Sequence, residues 1–298
     1  MASLTVFTPT YNRADLLPRL YESLSRQSCK DFEWLVVDDG STDDTESLIK
    51  SLQQKEKEFL ISYIKKSNGG LQTGYVEAFK NIVSELCTCV DSDDCLIESA
   101  VEEILKFWND TPDRNNYAGI LALDQDYDGN VLGGYYPKGV KADNLLEIEF
   151  GRSVHPKSDR MLIARTDLCK KTRPAIFYPG ERSLNATYLH FQISKNYDFL
   201  VYNEPLYIVE YQSEGISNNK FKHFLLSPNS FADYRLYLMS LYGAPLKFVI
   251  RNMIHYTSSC IIAKRSIFKD CNRFFLAFLC YPMGLCLTCF LRAKSKKW

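Results

Sequence analysis

CTCVDSDDCLIE, residues 87–98, sets three acids, Asp91, Asp93 and Asp94, directly after a short apolar run and among the cysteines Cys87, Cys89 and Cys95. The run Leu86–Val90 has the length and continuous apolar character of a buried strand. The acids would then stand at that strand's carboxyl end. Two chemistries compete for such a cluster: a metal held by sulfur, or one held by oxygen.

The neighbouring segments repeat the arrangement. Leu4–Thr8 is a β-rich run broken by Pro9-Thr10-Tyr11-Asn12-Arg13. Trp34–Val37 is a second, ending in Asp38-Asp39-Gly40-Ser41-Thr42, and Ile61–Lys65 is a third, followed by the turn Asn68-Gly69-Gly70. Helices fit between them. Leu16, Leu17, Leu20 and Leu24 share one helical face, Ser41 or Thr42 can cap a helix with Asp43 and Asp44 in its first turn, a third helix runs to about Glu85, and Ser99–Trp108 reads as a fourth. Alternating strands and helices with fully apolar strands predict an α/β fold, a doubly wound, mainly parallel sheet. Ligands of such sheets bind beyond the carboxyl ends of the strands, and four polar clusters converge on that rim.

Neither GxxxxGK[ST] nor GxGxxG occurs, so phosphate binding by a glycine-rich loop is not the use of this sheet. A D-x-D pair at a strand end can hold a hard divalent cation that bridges phosphates. Mn2+ or Mg2+ suits these oxygens, whereas zinc would prefer thiolates and lacks a histidine or fourth cysteine nearby to complete its set. The cysteines therefore read as strand packing. Lys+Arg and Asp+Glu are equal at 36 each, so no global basic field points to nucleic acid. Asp124–Asn130 superficially resembles a calcium loop but has Tyr135 where the loop's glutamate would stand, and reads as a polar hairpin turn.

Taken together, Thr8–Arg13 (TPTYNR), Val36–Asp43 (VVDDGSTD), Asn68–Gly70 (NGG) and Val90–Asp94 (VDSDD) resemble, in order and spacing, the family 2 glycosyltransferases of GT-A fold. The match is dense from residue 4 to about 110 and extends thinly to Glu204–Tyr207 and Glu210-Tyr211. It implies an inverting, divalent-metal-dependent transfer of a sugar from a nucleotide-diphosphate donor, a UDP-sugar, to a hydroxyl of a glycan or lipid-linked acceptor in cell-surface polysaccharide synthesis. Carried over by residue, Thr8, Tyr11 and Arg13 would line the nucleotide pocket, and Asp39 would accept a hydrogen bond from the base. Asn68 and Gly70 would flank the pyrophosphate or ribose, with Ser92 in the same nucleotide site. Asp91 and Asp93 would hold the metal, Asp93 directly and with a catalytic role.

Inverting transfer also needs a base for the acceptor hydroxyl. Pro179-Gly180-Glu181-Arg182 resembles the start of the family's base region, which nominates Glu181, with Asp159 as the alternative. Relatives carry a second acid about where Ala186 stands, and this chain departs from them there. His155 and His223 fall in segments that could approach the rim as a third metal ligand. A non-catalytic nucleotide-sugar-binding or scaffold protein on the same fold is the competing reading, and a nucleotidyltransferase is disfavoured by the TYNR and VVDDGS blocks.

Leu200–Tyr202 and Leu206–Tyr211 read as late strands, with a boundary near 215–220. The expected division is a transferase domain over 1–217 and a helical, aromatic and basic region over 218–298. Phe274–Leu291 is 18 residues without a charge, interrupted by Pro282 and Gly284, preceded by Arg273 and followed by Arg292, Lys294, Lys296 and Lys297. This tail, 273–298, fits either core packing or a peripheral membrane contact with an anionic leaflet. No leader is visible before the first strand, so the expectation is free thiols in the cytoplasm, at the inner face of the cell membrane.

Overall fold

A computed structural model of the chain describes residues 2–154, 156, 158–182, 186–210 and 220–295. In chain order the first half holds β1 (Leu4–Thr10), α1 (Leu17–Ser25), β2 (Phe32–Asp38), α2 (Thr45–Lys55), β3 (Leu60–Lys65), α3 (Leu71–Asn81), β4 (Leu86–Cys89), β5 (Cys95–Leu96) and α4 (Ala100–Asp110). Then follow β6 (Gly119–Gln125), β7 (Ala142–Asp143), α5 (Leu145–Glu149), β8 (Arg160–Arg165), α6 (Thr166–Cys169), α7 (Thr187–Ile193) and β9 (Phe199–Ile208). The helices α8 (Lys220–Leu226), α9 (Pro228–Ser240), α10 (Leu246–Ala263) and α11 (Phe274–Ser295) close the chain. Two compact units result: residues 1–173 with 189–211, and residues 174–188 with 212–298.

Among the described residues, nine strands of the first unit form one sheet, ordered β3-β2-β1-β4-β8-β6-β9-β5 with β7 on β9. The β3-β2-β1-β4 half is parallel, as its apolar runs predict. β8 is antiparallel to β4 and to β6. That reversal sends the start of β8 and the end of β6 to the same rim as the end of β4. Leu123 pairs with Arg160, so Asp124 and Asp159 lie one residue further along that ladder.

Pro9 sits inside the central strand β1, a position that normally excludes proline. Its missing donor is harmless, because the β1–β4 ladder ends at Phe7–Cys89 and Val90 N–H closes it onto Phe7 O at 3.0 Å. Side chains tie the parallel strands further. Trp34 Nε1 donates to Thr8 Oγ1 (3.0 Å), which donates to Val90 O (2.8 Å), joining β2, β1 and the end of β4. Trp34 is fully buried with Leu17, Leu20 and Leu24 of α1, Ile49 of α2 and Ile104 of α4 in one core. Each such side chain contributes about 1.5–3 kcal/mol on burial.

The structure departs from the sequence expectations in the second half. The two late strands are one strand, β9, bulged against β6, since Ala122 pairs with Tyr202, Leu123 with Pro205 and Asp124 with Tyr207. The bulge admits Pro205 without a ladder bond. Asp124, read as part of a turn, is the penultimate residue of β6 and is buried, and the turn proper is Asp126–Asn130. Strand β8 carried no expectation at all. In the second unit, α11 runs unbroken through Pro282 and Gly284. Tyr211, expected in the last strand, and the boundary at 215–220 lie outside the described residues.

Gly119 opens β6 at φ +148°, where an added Cβ would stand 2.0 Å from Ile163 O of β8. Backbone cannot yield as a side-chain tip does. Gly119→Ala is expected to lower stability by about 1–3 kcal/mol or more, read as a lower urea midpoint, while Gly129→Ala, with open space around it, should cost less.

Candidate active site

The rim is built from three turns that hold one another. Asn12 adopts φ +51°, a left-handed conformation that asparagine tolerates. Its N–H donates to Ser41 Oγ (2.9 Å), and its Oδ1 accepts from Thr42 N–H (2.8 Å). The YNR turn is thereby locked to the DDGST turn. Within the latter, Asp38 is buried and structural: it accepts from Ser41 N–H at 2.7 Å and Tyr63 OH at 2.5 Å.

Asp39 faces the third turn. Its Oδ1 accepts from Gly69 N–H (2.9 Å) and Lys66 Nζ (2.5 Å), and its Oδ2 from Gly70 N–H (2.7 Å). Gly70 reaches this contact at φ +88°. A carboxylate has about four acceptor sites, so Oδ2 keeps one for a ligand. Asn68 Oδ1 and Thr10 Oγ1 are buried without a partner in the same region. Buried polar atoms of this kind call for a partner, whether an ordered water or a polar ligand. Thr8, expected in the pocket, is fully buried with its hydroxyl occupied by Trp34 and Val90. What it contributes is the seam, and Thr10 two residues on carries the free oxygen. Tyr11 is exposed at the mouth.

The D-x-D turn divides its acids by role. Asp94 is the anchor: Oδ2 accepts from Tyr207 OH (2.8 Å) and Oδ1 from Glu210 N–H (2.9 Å). Burial pushes its carboxyl up to about 7, against the pull of those two bonds. The Tyr207 hydroxyl also accepts from Asp91 N–H at 3.0 Å. Asp91 and Asp93 are left to face outward, Asp91 exposed and Asp93 half-buried. The protein closely surrounding its carboxyl, then the charge of Asp93, push Asp91 up to about 6 even though the side chain reaches solvent. Arg13 Nη1 lies 3.3 Å from Asp93 Oδ2, so the YNR turn reaches the D-x-D directly. Ser92 is buried in the turn.

Among the described residues no three metal-ligating side chains converge on one point. Asp91 and Asp93 fit Mn2+ or Mg2+ nonetheless, because these ions are held by one or two carboxylates with phosphate and water completing the shell. The cysteines do not compete: burial pushes the Cys89 thiol well above its usual range, and all ten thiols are free. His155 lies outside the described residues, and His223 belongs to α8 of the second unit. His190 packs edge-on against Tyr75 and Phe79, and burial lowers it to about 4.

The two candidate bases differ in setting. Asp159 is exposed in the first unit, at the start of β8, and its charge acts on both Asp91 and Asp124. Glu181 belongs to the second unit, where Oε1 accepts from Asn229 N–H (3.0 Å) and Nδ2 (2.8 Å) and Oε2 from Ser230 N–H (2.7 Å). It thus caps α9, whose first N–H groups would otherwise lack partners. Ala186 is buried in the same unit.

Three rim residues escaped the sequence reading. Arg19 of α1 donates to Asp93 O, pairs with Glu210 and stands over the Tyr127 ring, fastening the back of the D-x-D turn. A cation beside the leucine stripe of α1 is indistinguishable in sequence from a solvated one. Tyr207 hid in a β-rich run. Asp124 had a signal, since Gly119–Leu123 is another apolar run ending in an acid. Its Oδ1 is buried without a partner, and burial and the Asp159 charge push it up to about 8.

Comparison with known proteins points to one family and one fold. The chain is 32% identical over 149 residues to a "GalNAc(5)-diNAcBac-PP-undecaprenol beta-1,3-glucosyltransferase" of Campylobacter jejuni, covering 48% of this chain and 45% of that one. It is 33% identical over 103 residues to glycosyltransferase GlyA of Streptococcus pneumoniae, covering 35% and 14%. The chain thus spans less than half the length of these curated relatives. In fold it is similar to S. aureus TarS 1–349 in complex with UDP-GlcNAc, with TM-score 0.59, 17% identity, and 100% of this chain and 92% of that one covered. It is also similar to the mannosyltransferase PcManGT of Pyrobaculum calidifontis in complex with GDP-Man and Mn2+, with TM-score 0.55, 14% identity and coverage of 99% and 83%. These likenesses establish a GT-A type sheet. Residues 5–156, just over half of the 298, match the family Glycosyl transferase family 2, and the chain belongs to that family.

Proposed function

We propose that the chain transfers a sugar, with inversion, from a UDP-sugar to a hydroxyl of a glycan or lipid-linked acceptor. The observation that carries this is the convergence on one rim of Asp39, of the orphaned Thr10 and Asn68 oxygens, and of the outward-facing Asp91 and Asp93. Asp39 would accept the N–H of a uracil ring on its remaining Oδ2 site, with Thr10, Tyr11, Asn68, Gly70 and Ser92 around the nucleoside and pyrophosphate. The UDP-GlcNAc held by TarS supports a UDP donor. The PP-undecaprenol in the name of the Campylobacter relative supports a lipid-linked acceptor, with the tail as peripheral membrane contact. Asp91 and Asp93 would hold Mn2+ or Mg2+, which offsets the charge that develops on the departing diphosphate. Arg13, beside Asp93, would bring a second cation to that diphosphate.

In the transfer the acceptor oxygen bonds the anomeric carbon as the carbon–diphosphate bond breaks, and the acceptor proton passes to a base. Of the two candidates, Asp159 is favoured over Glu181: it is exposed and acts electrostatically on the D-x-D, whereas the Glu181 carboxylate accepts three hydrogen bonds from the start of α9. That engagement of Glu181, with apolar Ala186 nearby in sequence, is also what favours the second reading, a non-catalytic nucleotide-sugar-binding protein.

Titration calorimetry with UDP and Mn2+, followed by release of UDP from a panel of UDP-sugars, separates the two. Turnover on any acceptor or on water establishes the transferase; tight UDP binding with no turnover supports the scaffold; no metal-dependent UDP binding sinks both. Asp93→Ala is expected to abolish Mn2+-dependent binding and turnover, and Asp39→Ala to weaken UDP about 10–100-fold by loss of a charge-assisted hydrogen bond.

The Asp91 pKa is raised to about 6, so protons compete with the cation below that value. Beyond the protonation of UDP's own terminal phosphate at about pH 6, protonation of Asp91 should lower Mn2+-dependent UDP affinity by up to about a further tenfold per unit below that pH.

For the base, Asp159→Asn should eliminate transfer with UDP affinity unchanged. Glu181→Gln should keep most turnover but lower the melting temperature, a loss of about 1 kcal/mol typical of a helix cap. The opposite pattern would return the base to Glu181.

A further inference from the structure

Helix α11 has two unlike faces. One is a narrow stripe, Ala277, Cys280, Gly284, Thr288 and Leu291, all buried. It lies against α10: a Cβ on Gly284 would stand 2.0 Å from Thr257 Oγ1, and Ser258 Oγ lies 2.9 Å from Thr288 Oγ1. The rest of the helix is large, apolar and uncovered, with Phe275 76%, Phe278 67%, Leu279 52% and Phe290 51% exposed. A soluble helix buries its large residues and exposes small or charged ones. Here the order is reversed, as in a helix whose outer solvent is lipid.

We propose that α11 lies in the plane of an anionic leaflet, its large-residue face among the acyl chains, and does not cross the bilayer. The inference rests on the membrane-surface setting of the proposed function. Length and apolar composition would both permit crossing, since 22 residues at about 1.5 Å each reach about 33 Å. The partner helix argues against it. α10 runs alongside α11 with Lys247 and Arg251 exposed and Asn252 and His255 on the same helix. A spanning α11 would draw those groups into hydrocarbon, where ionisable side chains are strongly disfavoured. In the plane, α10 stays on the aqueous side and only the opposite face of α11 enters lipid.

Charge selects the occupant. Arg273 precedes the apolar run and Arg292 and Lys294 follow it, so both ends of the face are cationic. A second copy of α11, packed in either direction, would set cations against cations. Anionic headgroups match both ends. Lys294 is held at that end of the helix, its Nζ 4.4 Å from the centroid of the Phe221 ring and 5.9 Å from that of Phe290.

The test uses the full chain with Cys29, Cys89, Cys286 and Cys289, the cysteines that are not buried, changed to serine. An environment-sensitive fluorophore is placed singly at Phe275→Cys or Phe290→Cys. Vesicles of phosphatidylcholine with or without phosphatidylglycerol are added, and lipids carrying quenchers at known depths locate each probe. The expected result is binding to the anionic vesicles, with both probes at one shallow depth. Arg292→Gln with Lys294→Gln should weaken binding about 30-fold, about fivefold per cation. Phe278→Asp, on the exposed face, should abolish it with the circular dichroism spectrum unchanged. Probe depths differing by about 20 Å would mean a spanning helix and overturn the proposal. So would the absence of vesicle binding, including the case where probes are shielded in a dimer seen by sedimentation. UDP titration on the same samples keeps the two readings apart: lost vesicle binding with intact UDP binding overturns only the in-plane helix, and the reverse overturns only the transferase.

Discussion

A buried carboxyl, that of Asp94, fastens the D-x-D turn to β9 at the place where chemistry is expected, adding side-chain contacts to the β4–β8 and β5–β9 ladders. β4 ends in the parallel half, and β9 lies three positions away on the far side of β8 and β6. Asp94 accepts from Tyr207 OH and Glu210 N–H, and Tyr207 in turn takes the N–H of Asp91. With Asp94 spent in this way, the turn can aim only Asp91 and Asp93 outward. Burying a carboxyl there is unfavourable, as its shift to about 7 records. The compensation is orientation: a two-carboxylate seat is of use only if its oxygens do not wander.

The parallel half was legible in the sequence because two independent signals agree there. Each strand is a continuous apolar run, and each ends in a glycine- or acid-bearing turn whose backbone geometry those residues favour, as at Asn12, Gly40 and Gly70. The antiparallel half gave up less. β8 begins with Arg160 and ends with Arg165, so its apolar centre is only four residues long. β9 is disguised by Pro205, which reads as a break until the bulge against Leu123 is seen. α11 was readable as an apolar segment, but its continuity through Pro282 depends on the close packing at Gly284, a tertiary fact.

The site was legible to a similar depth. Motif order singled out Asp39, Asn68, Gly70, Asp91 and Asp93, and all five lie at the carboxyl-end rim of the first unit. Thr8 and Thr10 share one face of β1 because residues of a strand alternate, and alternation cannot say which of the two has its oxygen taken by a tryptophan from the next strand. Arg19 and Tyr207 act through partners distant in sequence, which no local pattern records. Glu181 shows the converse: a motif position can be occupied by the expected residue type and still be engaged elsewhere, here in capping α9.

The contact between Arg13 and Asp93 has a consequence for the order of events at the rim. The guanidinium already neutralises the carboxylate that would receive a cation, so an ion arriving alone must displace it and gains little. A diphosphate arriving with the ion offers the displaced arginine a new anion. On the proposed reading, ion and nucleotide therefore recruit each other, each raising the affinity for the other by the same factor. Arg13 would then serve as a stored counter-ion, keeping the affinity of the rim for divalent cations low until a nucleotide arrives with them.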